Sequence, residues 1–292
     1  METIGFVGFG VMGKPMAANL VKAGFNVLGY DVVPDSVRAV PGVTPAASLR
    51  ELAEKVDRVV TMLPDSPHVE AVVAGEGGLL QYLRPGSIIA DMSTISPKVS
   101  QRLNRQAAEM SVGMLDAPVS GGVKGAIAGA LSIMAGGTQA DFDAFQRIFS
   151  CMGSTIVLVG PSGCGQTVKL CNQTIVAINI QAICEAFSLA RAEGLDLETA
   201  RSVLMGGAAN SWMLENLAPQ MIAGDPSAGF RISLQLKDLR LAQETAFQDG
   251  VAMPGLGLAT AMYLEAAAHG EGGNGNQAMY RTFERLNNRE FR

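Results

Sequence analysis

A chain of 292 residues exceeds the ~100–200 residues usual for one domain, so two domains with separate cores are expected. Its 48% hydrophobic and 17% charged residues exclude a disordered or fibrous chain. A net charge of -5 offers no basic stripe, which argues against nucleic acid and against an anionic membrane as partners.

Four cysteines, none in a Cys-x-x-Cys pair, and only two histidines leave a zinc site almost without ligands, so no metal is expected. The opening Met1-Glu2-Thr3 has neither the basic n-region nor the apolar stretch of a signal peptide. A soluble cytoplasmic protein with reduced thiols is the expectation.

Taken in chain order, apolar runs at residues 4–7, 26–30, 58–62, 87–91 and 113–117 predict buried strands. Amphipathic stretches at 12–23, 48–56 and 97–110 predict the helices between them, which gives an α/β fold, a doubly wound parallel sheet of the Rossmann type. Strands over 131–135 and 155–159 bracket a helix over 141–151. After the linker Gly160-Pro161-Ser162-Gly163-Cys164-Gly165 only helical periodicity remains, at 168–193, 197–205, 234–248 and 255–268. Residues 1–162 are therefore expected to be a dinucleotide-binding domain and 163–292 an all-α C-terminal domain. The stretch 168–190 is apolar enough to suggest a membrane span, but Lys169, Asn172, Gln173 and Glu185 point to a buried helix instead. Gly270–Gly275 is expected to be a flexible loop, His68 to sit in a surface loop after Pro67, and Trp212 to be core.

Four constellations carry chemistry. Gly8-Phe9-Gly10-Val11-Met12-Gly13 follows a predicted strand and opens a helix, so its amides and the helix N-terminus can cradle a pyrophosphate. Asp31 ends the second strand about twenty residues on, where a carboxylate accepts from the adenosine ribose hydroxyls. It would repel a 2′-phosphate, and Val32 beside it offers no cation, so NAD is favoured over NADP. Asp116-Ala117-Pro118-Val119-Ser120-Gly121-Gly122 lies at a strand's carboxyl end, where a Ser hydroxyl and Gly amides suit a carboxylate; a plain loop closing the sheet fits the same residues. Lys169 and Asn172, spaced i, i+3, share a helix face in an apolar segment, where desolvation moves a lysine toward proton exchange near neutrality; a lysine snorkelling at a helix end fits equally. Lys237-Asp238 either contacts nicotinamide or substrate or forms an exposed charge pair.

Gly5 to Leu20, Asp116–Gly122, Lys169-Leu170-Cys171-Asn172-Gln173 and Lys237-Asp238, in this order, resemble the β-hydroxyacid dehydrogenase family over essentially the whole chain. Its members act on 3-hydroxyisobutyrate, 6-phosphogluconate and tartronate semialdehyde. Residues 61–69 and 229–238 are most similar to its tartronate semialdehyde reductases, whereas Asp31-Val32-Val33-Pro34 is more similar to its NAD-using 3-hydroxyisobutyrate dehydrogenases. The resemblance implies that Lys169 is the catalytic acid–base and that Asn172 holds substrate and lysine in register. It further implies that Ser120, Gly121 and Gly122 bind the substrate carboxylate, that Leu63, Pro64 and Thr94 line the cofactor cleft, and that Lys237 lies near the nicotinamide. It also implies a homodimer or homotetramer that uses NAD(H) to interconvert a short β-hydroxy acid and its semialdehyde, tartronate semialdehyde and glycerate first, with a 3-hydroxyisobutyrate or sulfolactaldehyde-type substrate as the alternative. Imine reductases share the architecture but typically lack the lysine, and a non-catalytic scaffold would be expected to have lost it.

Overall fold

The computed structural model describes residues 2–291, which fall into two compact units, Met1–Lys169 and Leu170–Arg292. The first unit opens with β1 (Thr3–Val7), α1 (Gly13–Lys22), β2 (Asn26–Tyr30), α2 (Pro34–Arg38) and β3 (Val43–Pro45). It continues through α3 (Leu49–Lys55), β4 (Arg58–Thr61), α4 (Ser66–Ala74), β5 (Ile88–Asp91), α5 (Pro97–Glu109) and β6 (Gly113–Asp116). β7 (Val119–Ser120), α6 (Gly122–Ala128), β8 (Leu131–Gly136), α7 (Gln139–Phe149) and β9 (Gly153–Gly160) complete the sheet. α8 (Cys164–Ala192) begins in the first unit and continues into the second.

The sheet order is β3-β2-β1-β4-β5-β6-β8-β7, with β9 paired to β8. The pairs from β3 to β6 are parallel, while β8 runs antiparallel to β6 and β7. Chain direction places the order reversal between β1 and β4, and ligands of open α/β sheets sit at the strand carboxyl ends beside that point.

Strand residues alternate between two cores because successive side chains point to opposite faces. Ile4, Phe6, Val60, Ile88, Ala90 and Leu115 face one core with Met16, Ala17 and Leu20 of α1 and the phenylalanines of α7. Val7, Val59, Ile89 and Met114 face the other with Leu52 of α3, Val73 of α4 and Leu103 of α5. The short β3, β7, α2, α4 and α6 lack a periodic apolar run long enough to signal them in sequence. His68 accordingly lies on α4, not in a loop, although it is exposed as expected.

The second unit is helical: the rest of α8, α9 (Leu197–Met205), α10 (Trp212–Asn216), α11 (Ala218–Ala223), α12 (Ile232–Gln248), α13 (Pro254–Ala268) and α14 (Tyr280–Asn287). Its core joins Ile180, Cys184 and Phe187 of α8 to Leu239 of α12, Tyr263 of α13 and Phe283 of α14. The packing divides inside α8, at Lys169 and Leu170, a few residues past the glycine linker near residue 162, because the helix does not pause where the packing partners change.

Two further expectations fail in the helical unit. Trp212 is 59% exposed at the start of α10, since Leu214 is the residue that short helix turns inward. Segment 270–275 is no loose loop: the Gly272 and Asn274 carbonyls accept from the Ser233 and Ile232 amides, capping α12. The Gln277 side-chain amide, donating to the Asp225 and Ser227 carbonyls, stitches the same segment down. α8 is long and apolar enough to cross a membrane by length and composition alone. Its interior carries the buried polar residues described below.

Candidate active site

The turn after β1 is built around two close approaches. Gly8 has φ +98°, and a Cβ there would press on the Met62 carbonyl and lie 3.1 Å from Leu63 Cδ2. A Cβ on Gly13 would overlap the Gly8 carbonyl oxygen. Gly10 differs, since its Cβ would meet no protein atom within 4 Å. Packing does not require that glycine; it leaves an open cradle beside the backbone, which is what a pyrophosphate needs. α1 itself has no side-chain cap and no acid in its first turn, whereas α3, α7 and α9 are capped by Ser48, Thr138 and Asp196. The residues present fit a dinucleotide.

Asp31, just past β2, accepts from the Phe9 amide at 2.6 Å through one oxygen and from the Val33 amide at 2.8 Å through the other. These bonds fix the carboxylate beside the turn and leave lone pairs for ribose hydroxyls. The Phe9 ring is buried and packs edge-on against Phe6 at 5.3 Å, so only its backbone faces a ligand. Val11 is 59% exposed and Met12 packs partly on the core.

The neighbouring strand ends are tied together by side chains that sequence reasoning missed. Beyond β4, the Leu63 amide donates to Ser93 Oγ at 2.8 Å, and Ser93 Oγ donates to Asp91 Oδ1 at 2.6 Å. Thr61 donates to the same oxygen. Leu63 and the Thr94 segment are thereby held in one register, with Pro64 exposed beside them. The fully buried side chain of Gln166, in the first turn of α8, accepts from the Ile95 amide at 3.0 Å and donates to the Ser93 carbonyl at 2.8 Å.

Asp116, read in sequence as part of an anion-binding loop, is instead a tertiary cap for α8. Its two oxygens accept from the amides of Gly163 at 2.7 Å and Gln166 at 3.0 Å. Burial pushes its pKa up to about 6 against those amide bonds, with the nearby Asp91 adding in the same direction. The glycines Gly136 and Gly165 pack on this carboxylate, where a Cβ would come within 2.8 Å of it. Downstream, Ser120 of β7 is half-buried and pairs with Ser132 of β8, while Gly121 and Gly122 take φ +129° and +60° and lead into α6. Two successive positive φ angles explain the Gly-Gly pair.

In the first third of α8 the buried polar residues fall at Gln166, Lys169 and Gln173, spacing i, i+3, i+7, and the face continues through Ala177, Ile180, Cys184 and Phe187. Lys169 is only 6% exposed. Asn172 lies at the edge of this stripe, half-buried, and its amide donates to Gln173 Oε1 at 2.9 Å. That polar stripe is the signal in the sequence that could have found Gln166 and Gln173.

Within the helical unit, Gln173 donates to Asp238 Oδ2 at 2.6 Å, and Lys237 Nζ pairs with Asp238 Oδ1 at 2.8 Å. Gln235 donates to the Gln173 carbonyl at 3.3 Å and accepts from Asn276 at the same distance. The Lys237 and Asp238 side chains are 15% and 2% exposed, so the pair is not the solvated helix pair that its sequence also allowed. It belongs to a buried network reaching Asn172.

Residues 3–160 match the family described as the NAD binding domain of 6-phosphogluconate dehydrogenase, and residues 163–283 match that described as the NAD-binding of NADP-dependent 3-hydroxyisobutyrate dehydrogenase. The chain is 39% identical over 290 residues to the 2-hydroxy-3-oxopropionate reductase of Escherichia coli, covering 99% of each. It is 40% identical over 252 residues to the mitochondrial 3-hydroxyisobutyrate dehydrogenase of Mus musculus, covering 83% of this chain and 75% of that one. The solved 3-hydroxyisobutyrate dehydrogenase of Mycobacterium tuberculosis, described with L-serine, superposes with a TM-score of 0.90 at 34% identity, covering 97% of this chain and 99% of that one.

A Rossmann unit with an NAD(P)-binding turn, followed by a helical unit, defines a nicotinamide-dependent oxidoreductase. The chain belongs to the β-hydroxyacid dehydrogenase family, alongside the 3-hydroxyisobutyrate dehydrogenases and 2-hydroxy-3-oxopropionate reductases.

Proposed function

We propose that this protein interconverts a short β-hydroxy acid and its semialdehyde with NAD(H), and that tartronate semialdehyde and glycerate are the pair. The observation that carries the chemistry is Lys169, an amine 6% exposed on the buried polar stripe of α8. A lysine in that setting is held for a task rather than for solvation. The end-to-end likeness to the Escherichia coli reductase supports the choice of substrate.

When bound, the reduced nicotinamide supplies the hydride to the aldehyde carbon. As the C=O bonding pair moves onto oxygen, the Lys169 ammonium gives that oxygen its proton; in the reverse direction the free amine takes the proton from the hydroxyl. Ser120 Oγ and the amides of Gly121 and Gly122 bind the carboxylate, which orients the carbonyl carbon. Asn172 keeps substrate and Lys169 in register, Lys237 lies toward the nicotinamide, and Leu63, Pro64 and Thr94 line the cofactor cleft. The fixed carboxylate of Asp31 repels a 2′-phosphate, so NADH is the cofactor and NADPH the poorer one. The enzyme acts in the cytoplasm as a homodimer or homotetramer.

A second reading, 3-hydroxyisobutyrate as substrate, is favoured by the 40% identity to the mouse enzyme. A panel of short semialdehydes and hydroxy acids, run in both directions with both cofactors, separates the two. Lys169→Ala is expected to lower turnover about 10²–10⁴-fold while NADH binding persists. Near-normal turnover in that variant ends the assignment, and equal use of NADPH ends the role given to Asp31.

A further inference from the structure

We propose that Gln166 is a positioning residue that sets the Thr94 segment of the cofactor cleft in register with the helix bearing Lys169; this rests on the dehydrogenase reading above. The side chain is 0% exposed, and both ends of its amide are used. Its oxygen accepts from the Ile95 amide and its nitrogen donates to the Ser93 carbonyl, so it grips the backbone on either side of Thr94. Only an uncharged group that donates and accepts at once satisfies both contacts.

The grip is anchored from below. The backbone amide of Gln166 is held by Asp116 at the end of β6, and Ser93 holds the Leu63 amide at the end of β4. The Gln166 side chain on the segment after β5, its backbone amide on Asp116 of β6, and Ser93 on the Leu63 amide after β4 thus join the ends of three adjacent strands to the first turn of α8, three residues before Lys169 on the same helix face. A slip of this grip moves the segment that faces the cofactor relative to the proton donor, and misplacement of about 1 Å is costly for a reaction that depends on alignment.

Gln166→Glu tests this, because a carboxyl can replace both contacts only when protonated. Charged or titratable groups linked to the site are Asp91 through Ser93, Asp116 through the helix turn, and Lys169 on α8. All three are present in both proteins, so the readout is the variant-to-wild-type ratio at each pH. At pH 8 the variant is expected to show an NADH KM raised about tenfold or more, from loss of one buried hydrogen bond, with a smaller change in kcat. By pH 5.5 the ratio returns toward one. Gln166→Met, similar in volume, is expected to weaken NADH binding in fluorescence titration equally at both pH values, with its far-ultraviolet circular dichroism retained.

Unchanged NADH KM and Kd in both variants overturn the proposal. So does a loss of activity that is independent of pH in Gln166→Glu and matches its unfolded fraction. Failure of both variants to fold at either pH assigns Gln166 a structural role only and overturns it as well. Wild-type protein that neither binds nor oxidises NADH would instead refute the dehydrogenase reading, which Lys169→Ala tests separately.

Discussion

The turn after β1 and the network around Asp238 are both polar sites, but they are made from opposite materials. In the turn, the polar character resides in backbone, left open by missing Cβ atoms at Gly8, Gly10 and Gly13, and in a single fixed carboxylate at Asp31. In the helical unit it resides in side chains drawn from distant stretches, Gln173 on α8, Gln235, Lys237 and Asp238 on α12, and Asn276. A backbone site is local and survives most changes around it. A side-chain network depends on every member, because each buried partner removed leaves another to bear its desolvation.

The largest expected effect lies in the network. Asp238→Ala removes the acceptor of Gln173 and the ion partner of Lys237 in a site only 2% exposed, and should cost about 3 kcal/mol of stability in urea unfolding at pH 7. A cost below about 1 kcal/mol would show the network to be far less interdependent than its bonding indicates.

Next comes the turn. Gly13→Ala forces a Cβ onto the Gly8 carbonyl and is expected to cost about 1–3 kcal/mol and to abolish measurable NADH binding. Gly10→Ala meets no protein atom, so stability should change by less than about 0.5 kcal/mol while NADH binding weakens sharply. If Gly10→Ala bound NADH normally, the open cradle would not be the pyrophosphate site.

Asp116 sharpens the contrast through pH. Its pKa is raised from 3.8 to about 6, so its stabilising contribution is full below 3.8 and lost as pH rises through 6. The stability advantage of the wild type over Asp116→Asn should therefore shrink between pH 4 and pH 6.5, by about 2 kcal/mol. The other carboxylates cancel in this difference. A pH-independent difference would mean that the carboxylate keeps an ordinary pKa at the helix junction.

Legibility in sequence followed the same divide. The strand runs that became β1, β2, β4, β5 and β6 announced themselves because each is apolar on both faces, and the helices α9 and α12 because their apolar residues recur at helical spacing. Gly8 and Gly13 were legible for a different reason, since a conformational or steric requirement met only by glycine is written at the position that needs it, and Asp31 by its offset from them. Trp212 misled because residue type is a weak guide to burial on a five-residue helix. The 270–275 segment misled because glycines mark turns without saying whether their carbonyls find partners.

The sequence by itself determined the alternating α/β half, the helical half, the glycine turn with its acidic partner, and the helix carrying Lys169, all of which depend on spacings within about thirty residues. Tertiary structure decided the rest. It made Asp116 a cap for α8, put Gln166 across the Thr94 segment 71 residues away, and buried Lys237–Asp238 against Gln173. Hydrogen bonds over such separations leave no periodic trace along the chain, because a buried amide or carboxylate is specified by the partner it meets and not by its neighbours in sequence.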